Sequence, residues 1–555
     1  MWTIGRTICV GISSLLLSSL IYAGDESTAA PPHPVETEVM APYVIPAEPS
    51  LVHPLMDHPA GFGHYEPVPV HTHAHAPVDW SKVPPIEKIP RAGWFTISDG
   101  GPGYYSFYDW RHGIESPKAP PAPFGTTGSD QTPFYDYDFR YLDDPLNTYH
   151  MWSDAYKRVI LKDEFLFTTG GEFRLRYNDY TNYQLSGENS ETNFTRLRLY
   201  GDLSYRDLAR VYLEFIDARS VDDKREMVIS NESGTDLLNV FTEWKLGEIA
   251  SDPLQFRVGR QEIVMGSQRL IASPDFSNTL RTYDGVRGYW YSSMWNVDLF
   301  WVRPVSPNRD KMDAMDQNRA LSGLWVTRHP TKEMLVDLYL LNLTDTRVGS
   351  VGNTVTLGTR IAGDMQKRLL YDFELMAQTG ERNGRTINAH AVTSGLGWQF
   401  AFPWDLSFWT YYDYASGTKE PESNKYETFN QLFPAGHTYF GYLDIVGRQN
   451  IHDLNFQLQF YPQKWLQLRM QYHIFHLASA TDALYNARGQ AIRQDITGAA
   501  GKDVGKEIDL LGNIHLTPHQ NFLFGYSQLF AGRFVKQTGS AKVPSYTYAQ
   551  YSIRW

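Results

Sequence analysis

Seven cations, Arg174, Arg176, Arg196, Arg198, Arg210, Lys245 and Arg257, recur at alternate places along short apolar runs. Four acids, Glu172, Asp202, Glu214 and Glu243, share their phase. Residues two apart lie on one face of an extended chain, so Arg174 joins Arg176 and Arg196 joins Arg198. A guanidinium offers a planar fork of donors that meets a carboxylate in two bonds. A row of such forks, diluted with acids, binds carboxylates weakly and repeatedly, which suits transit better than capture. Arg281 and Arg287 extend the row into the next strand. A second reading uses the same residues as Arg–Glu rungs that stiffen a wall. Like charges about 5 Å apart on neighbouring strands repel unless acids or a ligand intervene. Both readings stay open at this level.

No catalytic set competes with this row. His437 lies in the longest inter-strand connection without a serine or asparagine partner, so the chain is read as a non-enzyme that needs no cofactor. That connection, Ala415 to Gln449, also offers Phe433 and Tyr439 as gate or sugar-contact residues, or as plain wall. His71, His73 and His75 alternate within a proline-rich stretch. Alternating histidines can hold a divalent metal, but without an ordered scaffold to fix their geometry the stretch reads as a solvated tail, and no metal is assigned.

Such a row must be carried by strands. Phe173, Leu175 and Tyr177 alternate with Glu172, Arg174 and Arg176. Leu197 and Leu199 alternate with Arg196 and Arg198, and Val211, Leu213 and Phe215 with Arg210, Tyr212 and Glu214. Leu238, Val240, Thr242 and Trp244 oppose Asn239, Glu243 and Lys245. The period persists to the last residues, where Tyr551, Ile553 and Trp555 share a face. Period 2 means β-strand. A soluble sheet blunts a terminal edge with charge or proline, whereas a closed barrel pairs it with the first strand. One continuously apolar face against one charged face, strand after strand, fits lipid outside and water inside. At about 22 residues per strand and connection, the region from 159 to 555 holds roughly 18 strands. The fold class is therefore an all-β transmembrane antiparallel barrel, with weaker strand signals near Trp295 to Arg303 and Leu321 to Arg328.

Composition agrees. Aromatics make up 14%, with 35 tyrosines and 15 tryptophans, which suits interfacial girdles. The net charge of −12 argues against a nucleic-acid partner. Residues 1–23 read as an export signal, with Arg6 before an apolar run and Ala23 at its end. The single cysteine, Cys9, lies within it. Residues 24–92 read as a disordered Pro/His-rich linker, a possible tether to periplasmic or cell-wall partners. Residues 93–158 form an aromatic pre-barrel segment that either covers the barrel rim or plugs its lumen. In it, Phe134 to Pro145 alternates aromatics with acids, a pattern that also serves sugar stacking or a calcium loop.

Three blocks of the sequence carry a family resemblance. They are Arg257-Val258-Gly259-Arg260-Gln261-Glu262 with Gly266-Ser267-Gln268-Arg269-Leu270 and Asn278 to Arg287, Phe433 to Gly441 with Gly447-Arg448-Gln449-Asn450, and Gly505 to Leu510 with Gly525 to Gly532. Together they resemble the alginate-export outer-membrane porins from about Phe165 to Trp555. Phe134 to Pro145 resembles the version in planctomycete relatives with a long N-terminal extension. The resemblance implies an 18-stranded barrel in the outer membrane, surrounded by lipid. It also implies an electropositive constriction that passes an anionic polyuronate, in those proteins for secretion. The expected function is passive passage of anionic oligo- or polysaccharide through an arginine-lined lumen. The alternative is a non-selective structural porin tethered by its N-terminal extension.

Overall fold

The computed structural model describes residues 94–555 apart from 99–100, 121–125, 129–132, 144–150, 163, 222–231, 332, 367 and 541. The stretches read as an export signal and as a Pro/His-rich linker, with His71, His73 and His75, lie outside the described residues.

A closed 18-strand antiparallel barrel occupies most of the chain. Its strands are β1 (Phe165–Thr181), β2 (Ser190–Tyr205), β3 (Ala209–Val221), β4 (Ser233–Ile249), β5 (Asp252–Gln261) and β6 (Tyr283–Tyr291). Next come β7 (Trp295–Ser306), β8 (Arg319–Thr331), β9 (Met334–Asp345), β10 (Gly352–Met365), β11 (Leu369–Arg382) and β12 (Arg385–Gln399). The last six are β13 (Ser407–Ala415), β14 (Ile451–Gln463), β15 (Leu466–Leu477), β16 (Asp503–Thr517), β17 (Gln520–Ala531) and β18 (Ser545–Arg554). The two weak strand signals are β7 and β8. The final strand closes the ring: β18 pairs with β17 on one side and with β1 on the other, from Ser545 opposite Thr181 to Arg554 opposite Glu172.

The two faces separate as the alternation requires. On β1, Arg174 and Arg176 are 1% and 3% exposed, whereas Leu175 is 43% exposed. Leu199, Leu213, Leu340, Leu375 and Leu396 also face outward. A hydrocarbon solvent rewards that surface, and the closed ladder leaves no wall strand with an unpaired edge. One residue departs from the sequence phase. Leu238 was expected on the lipid face, but a bulge opposite Glu214 and Phe215 turns it inward beside Ile216 and Leu280. An extra residue in one strand shifts the alternation beyond it, and no feature of the local composition announces this. The wall also begins later than the periodic region, because Val159–Leu161 folds back as a short hairpin on Phe165 to Phe167.

Deleting the last ten residues removes β18 and opens two edges at once. Such a chain should fail to form a heat-modifiable, protease-resistant barrel in detergent or outer membrane. Recovery of a resistant barrel would contradict the closure.

Tight turns at 206–208, 250–251, 292–294 and 518–519 lie at one rim, together with both ends of the wall. The long connections 262–282, 416–450 and 478–502 leave the opposite rim; the first two fold back inside over most of their length, and the third is buried up to Asn486 and largely exposed from Arg488 to Ala499. Two of them zip together. Phe433 N donates to Leu270 O at 2.8 Å, Ala272 N to Phe433 O at 2.9 Å, and Ala435 N to Gln268 O at 3.0 Å. Connection 262–282 also reaches both sides of the ring. It meets β1 and β2 through Asp275, and β11 through Arg269, which pairs with Asp372 at 2.7 Å and Glu374 at 2.9 Å.

The pre-barrel segment uses the short-turn rim. Its helix Phe107–His112 places Phe107 and Trp110 5.3 and 5.5 Å from Trp465, in the β14–β15 turn. Farther along, Phe134, Tyr135, Tyr137 and Phe139 are buried against Tyr200, Tyr212 and Phe241, the inward residues of β2, β3 and β4.

Candidate functional site: two cavities lined by arginine and aromatic side chains

The expected row of cations lies on the inner face, and the structure shows what each member touches. Arg174 and Arg196 are direct partners across β1 and β2, so their charges would repel. Acids and loop carbonyls offset that repulsion. Arg174 donates to the backbone oxygens of Asp275 at 2.6 Å and Ser277 at 2.9 Å. Arg196 donates to Glu172 at 2.6 and 2.9 Å and pairs with the Asp275 carboxylate. Arg198 holds Glu214 at 2.6 Å. This stretch of wall therefore clasps residues 275–277. Buried charges persist only when paired and hydrogen-bonded.

The next members are paired in the same way. Arg210 binds Asp202 at 2.6 and 2.8 Å, Arg257 binds Glu243 at 2.5 Å, and Arg287 binds Asp298 at 2.6 Å. Glu214 also accepts from Tyr212 and Asn239, and Glu243 from Tyr289. Lys245 stands apart, at the short-turn end, bridged to Asp207 at 2.8 Å and Glu248 at 2.7 Å. Acids from other elements, namely Asp275 and Glu262 from 262–282 and Asp298 from β7, reduce the local surplus counted along the first strands.

Arg176 differs. It is buried, and among the described residues it forms no ion pair. It donates to Phe276 O at 2.5 Å and lies 4.1 Å from the Phe276 ring and 5.1 Å from that of Phe194. It opens onto a cavity of about 370 Å³ on the long-loop side. The cavity is lined by four arginines, Arg176, Arg281, Arg319 and Arg488, and by one carboxylate, Asp444. Tyr180, Tyr183 and Phe276 supply aromatic faces. A second cavity of about 450 Å³ adjoins it and shares Arg319, Leu432, Phe433 and Arg488. It adds Arg347 and Arg382 against Asp345 and Glu381.

Long-range packing assembles this vestibule. Arg281, expected on a strand, sits just before β6 and holds Phe433 O at 2.7 Å. Arg319 opens β8, pairs with Asp316 at 2.6 Å and lies 5.4 Å from the Phe433 ring. The Arg488 side chain is exposed and makes no ion pair or hydrogen bond with a described residue. Reading strand by strand missed Arg319 and Arg488. The available signal for Arg488 was a cation beside a glycine in a long connection.

The three loop candidates part company. Phe433 stands between the two cavities. His437 lines the first, stacked 3.9 Å from Phe276 with Nδ1 3.0 Å from Asp444. Tyr439 is buried, donates to the Ser267 carbonyl and lies beneath Arg269 at 4.8 Å. The loop is held close to the wall at Gly441. Its φ is +86°, and a Cβ there would sit 2.2 Å from Glu507 Oε1. The carboxylates of Asp509 and Glu507 accept the next two N–H groups, Tyr442 at 3.2 Å and Leu443 at 3.0 Å. Only glycine meets both demands without strain.

A closed wall with a lipid-facing exterior, a polar lumen and long connections folded inward is the architecture of a channel of the outer-membrane barrel class. The family model described as Alginate export matches residues 165–549, and this chain belongs to that family of outer-membrane porins. Its location is the outer membrane. Among solved structures, Pseudomonas aeruginosa OccK8 (OprE) is similar at 10% identity and a TM-score of 0.51, over 70% of this chain and 98% of that one. Pseudomonas aeruginosa OpdQ is similar at 10% identity and a TM-score of 0.49, over 70% and 97%. The likeness to OccK8 concerns the fold alone. No curated protein matches the chain in sequence.

Proposed function

We propose that this barrel passes anionic oligo- or polysaccharide, of polyuronate type, by diffusion through the arginine-lined vestibule. The observation that carries the reading is the first cavity: four guanidiniums and aromatic faces against one carboxylate. Aromatic rings take the apolar faces of sugars, and guanidinium forks take carboxylates. The acidic net charge of the chain does not oppose this, because the lining sets the field in a narrow, low-dielectric passage. Membership of the alginate export family supports the same cargo class.

The second reading, a non-selective structural porin, is favoured by the paired arginines from Arg196 to Arg287. Reversal potentials in planar bilayers separate the two. The wild-type protein in a potassium chloride gradient should prefer chloride, and an oligouronate should block the current where a neutral oligosaccharide of equal length does not. Equal permeability to both ions, without block, would leave the structural porin.

A further inference from the structure

The lower lumen already has an occupant, and it is the chain itself. Phe134 and Tyr135 lie within the barrel over a platform of Tyr200, Tyr212 and Phe241. The Arg198 guanidinium is 3.9 Å from the Phe134 ring, and that of Arg257 is 4.6 Å from Tyr135. Arg210 donates to Tyr135 O at 2.6 Å, and Tyr135 OH donates to Glu262 O at 2.9 Å.

What the occupant provides only in part is informative. Arg198 Nη2 and Arg210 Nη1 are buried with only long carboxylate contacts, to Glu262 at 3.5 Å and Glu243 at 3.7 Å, and Arg257 Nη1 is buried without a hydrogen bond to a described residue. The segment offers these forks ring faces, one carbonyl and, near Arg210 and Arg257, the carboxylate of Asp136, and it leaves room for more oxygens on buried N–H donors. A carboxylate-bearing saccharide would offer both: oxygens for the forks and a ring face for the platform. The segment is also the part of this site best able to leave. It is built of short 3-10 turns, Phe134–Asp136 and Arg140–Asp143, and contributes no strand to the wall ladder. Side-chain contacts and few backbone bonds mark elements that open without global unfolding.

We propose that Pro133–Asp143 is a displaceable plug, and that acidic saccharide and plug compete for one site formed by Arg198, Arg210 and Arg257 over the Tyr200–Tyr212–Phe241 platform. This rests on the anionic-cargo reading and adds its regulation: the site is self-occupied until cargo displaces the segment.

The full chain is tested in two arms. In planar bilayers, F134S/Y135S should raise potassium chloride conductance several-fold over wild type, with the barrel still heat-modifiable. The same variant should be blocked more tightly by oligouronate added from the short-turn side. If the wild-type plug is out one-tenth of the time, its removal raises apparent affinity about tenfold. In the second arm, Tyr137→Cys is labelled with a water-soluble maleimide in the folded protein. Labelling should accelerate with oligouronate and not with a neutral oligosaccharide of equal length. Unchanged conductance in F134S/Y135S, or labelling that oligouronate leaves unchanged or slows, overturns the proposal. Chloride preference and oligouronate block in the wild type test the cargo reading separately. Loss of those two with a conductance rise intact would remove the ligand and leave only a plug, which also overturns the competition.

Discussion

Arg196→Met should free residues 262–282 from the wall and raise both the conductance and its noise. Arg196 is fully buried and serves two carboxylates, Glu172 and Asp275. Its loss leaves Glu172 with Arg554 at 3.3 Å, and the remaining ion pairs of Asp275 are long, to Arg174 at 3.8 Å and Arg198 at 3.9 Å. Breaking a buried ion pair from one side costs about 3–5 kcal/mol. That is enough to release a loop held by a few such contacts while the closed ladder survives. Arg174→Met should do less, because the hydrogen bonds of Arg174 go to backbone oxygens, worth about 1.5–3 kcal/mol for a charged donor. Limited chymotrypsin digestion reads the difference: cleavage at Phe276 should be fast in R196M, slower in R174M and slowest in wild type. An R196M protein that resists cleavage as the wild type does would show that Arg196 is not the clasp. For the same reason Arg196→Glu is a poor probe of selectivity. It would gather three carboxylates at one buried point and change the structure before it changed the field.

The residues to reverse are Arg319 and Arg488. Both line both cavities. Neither sits in a buried network: Arg319 has Asp316, and Arg488 is exposed without an ion pair among the described residues. R319E/R488E would turn the first cavity from four guanidiniums and one carboxylate into two against three. The reversal potential in a potassium chloride gradient should change sign, and block by oligouronate should vanish. At 1 M salt the screening length falls to about 3 Å, so both effects should shrink there. An intact barrel with wild-type permselectivity at low salt would refute the vestibule as the filter.

The wall was legible because lipid imposes one rule on every strand. Leu175, Leu213 and Leu396 must face out, so Arg174, Arg176, Arg196 and Arg198 must face in, and they do. The closing role of Tyr546 to Trp555 followed from the same period. Less was legible where contacts cross long intervals. Asp275 neutralises Arg196 from a connection that gives no periodic signal. Arg319 and Arg488 meet at one cavity although 169 residues (488 − 319) separate them. The bulge at Leu238 breaks the phase by a single residue. The aromatic run at Phe134 could have covered the rim or entered the lumen, because its composition suits either. The partner rings Tyr200, Tyr212 and Phe241, which place it inside, sit on three different strands.

The tethering of connection 262–282 has a mechanical consequence. It is fixed at β1 and β2 through Asp275 and at β11 through Arg269, halfway round an 18-stranded ring. A thin-walled tube of this width ovalises easily when squeezed from the side, because bending the sheet breaks no ladder bond. A spoke across its diameter resists that flattening. Lateral pressure in the membrane, or crowding by neighbouring barrels, would load this spoke before it narrowed the lumen. Freeing either end of the spoke, as R196M does at the β2 end, removes that resistance while the ladder stays closed.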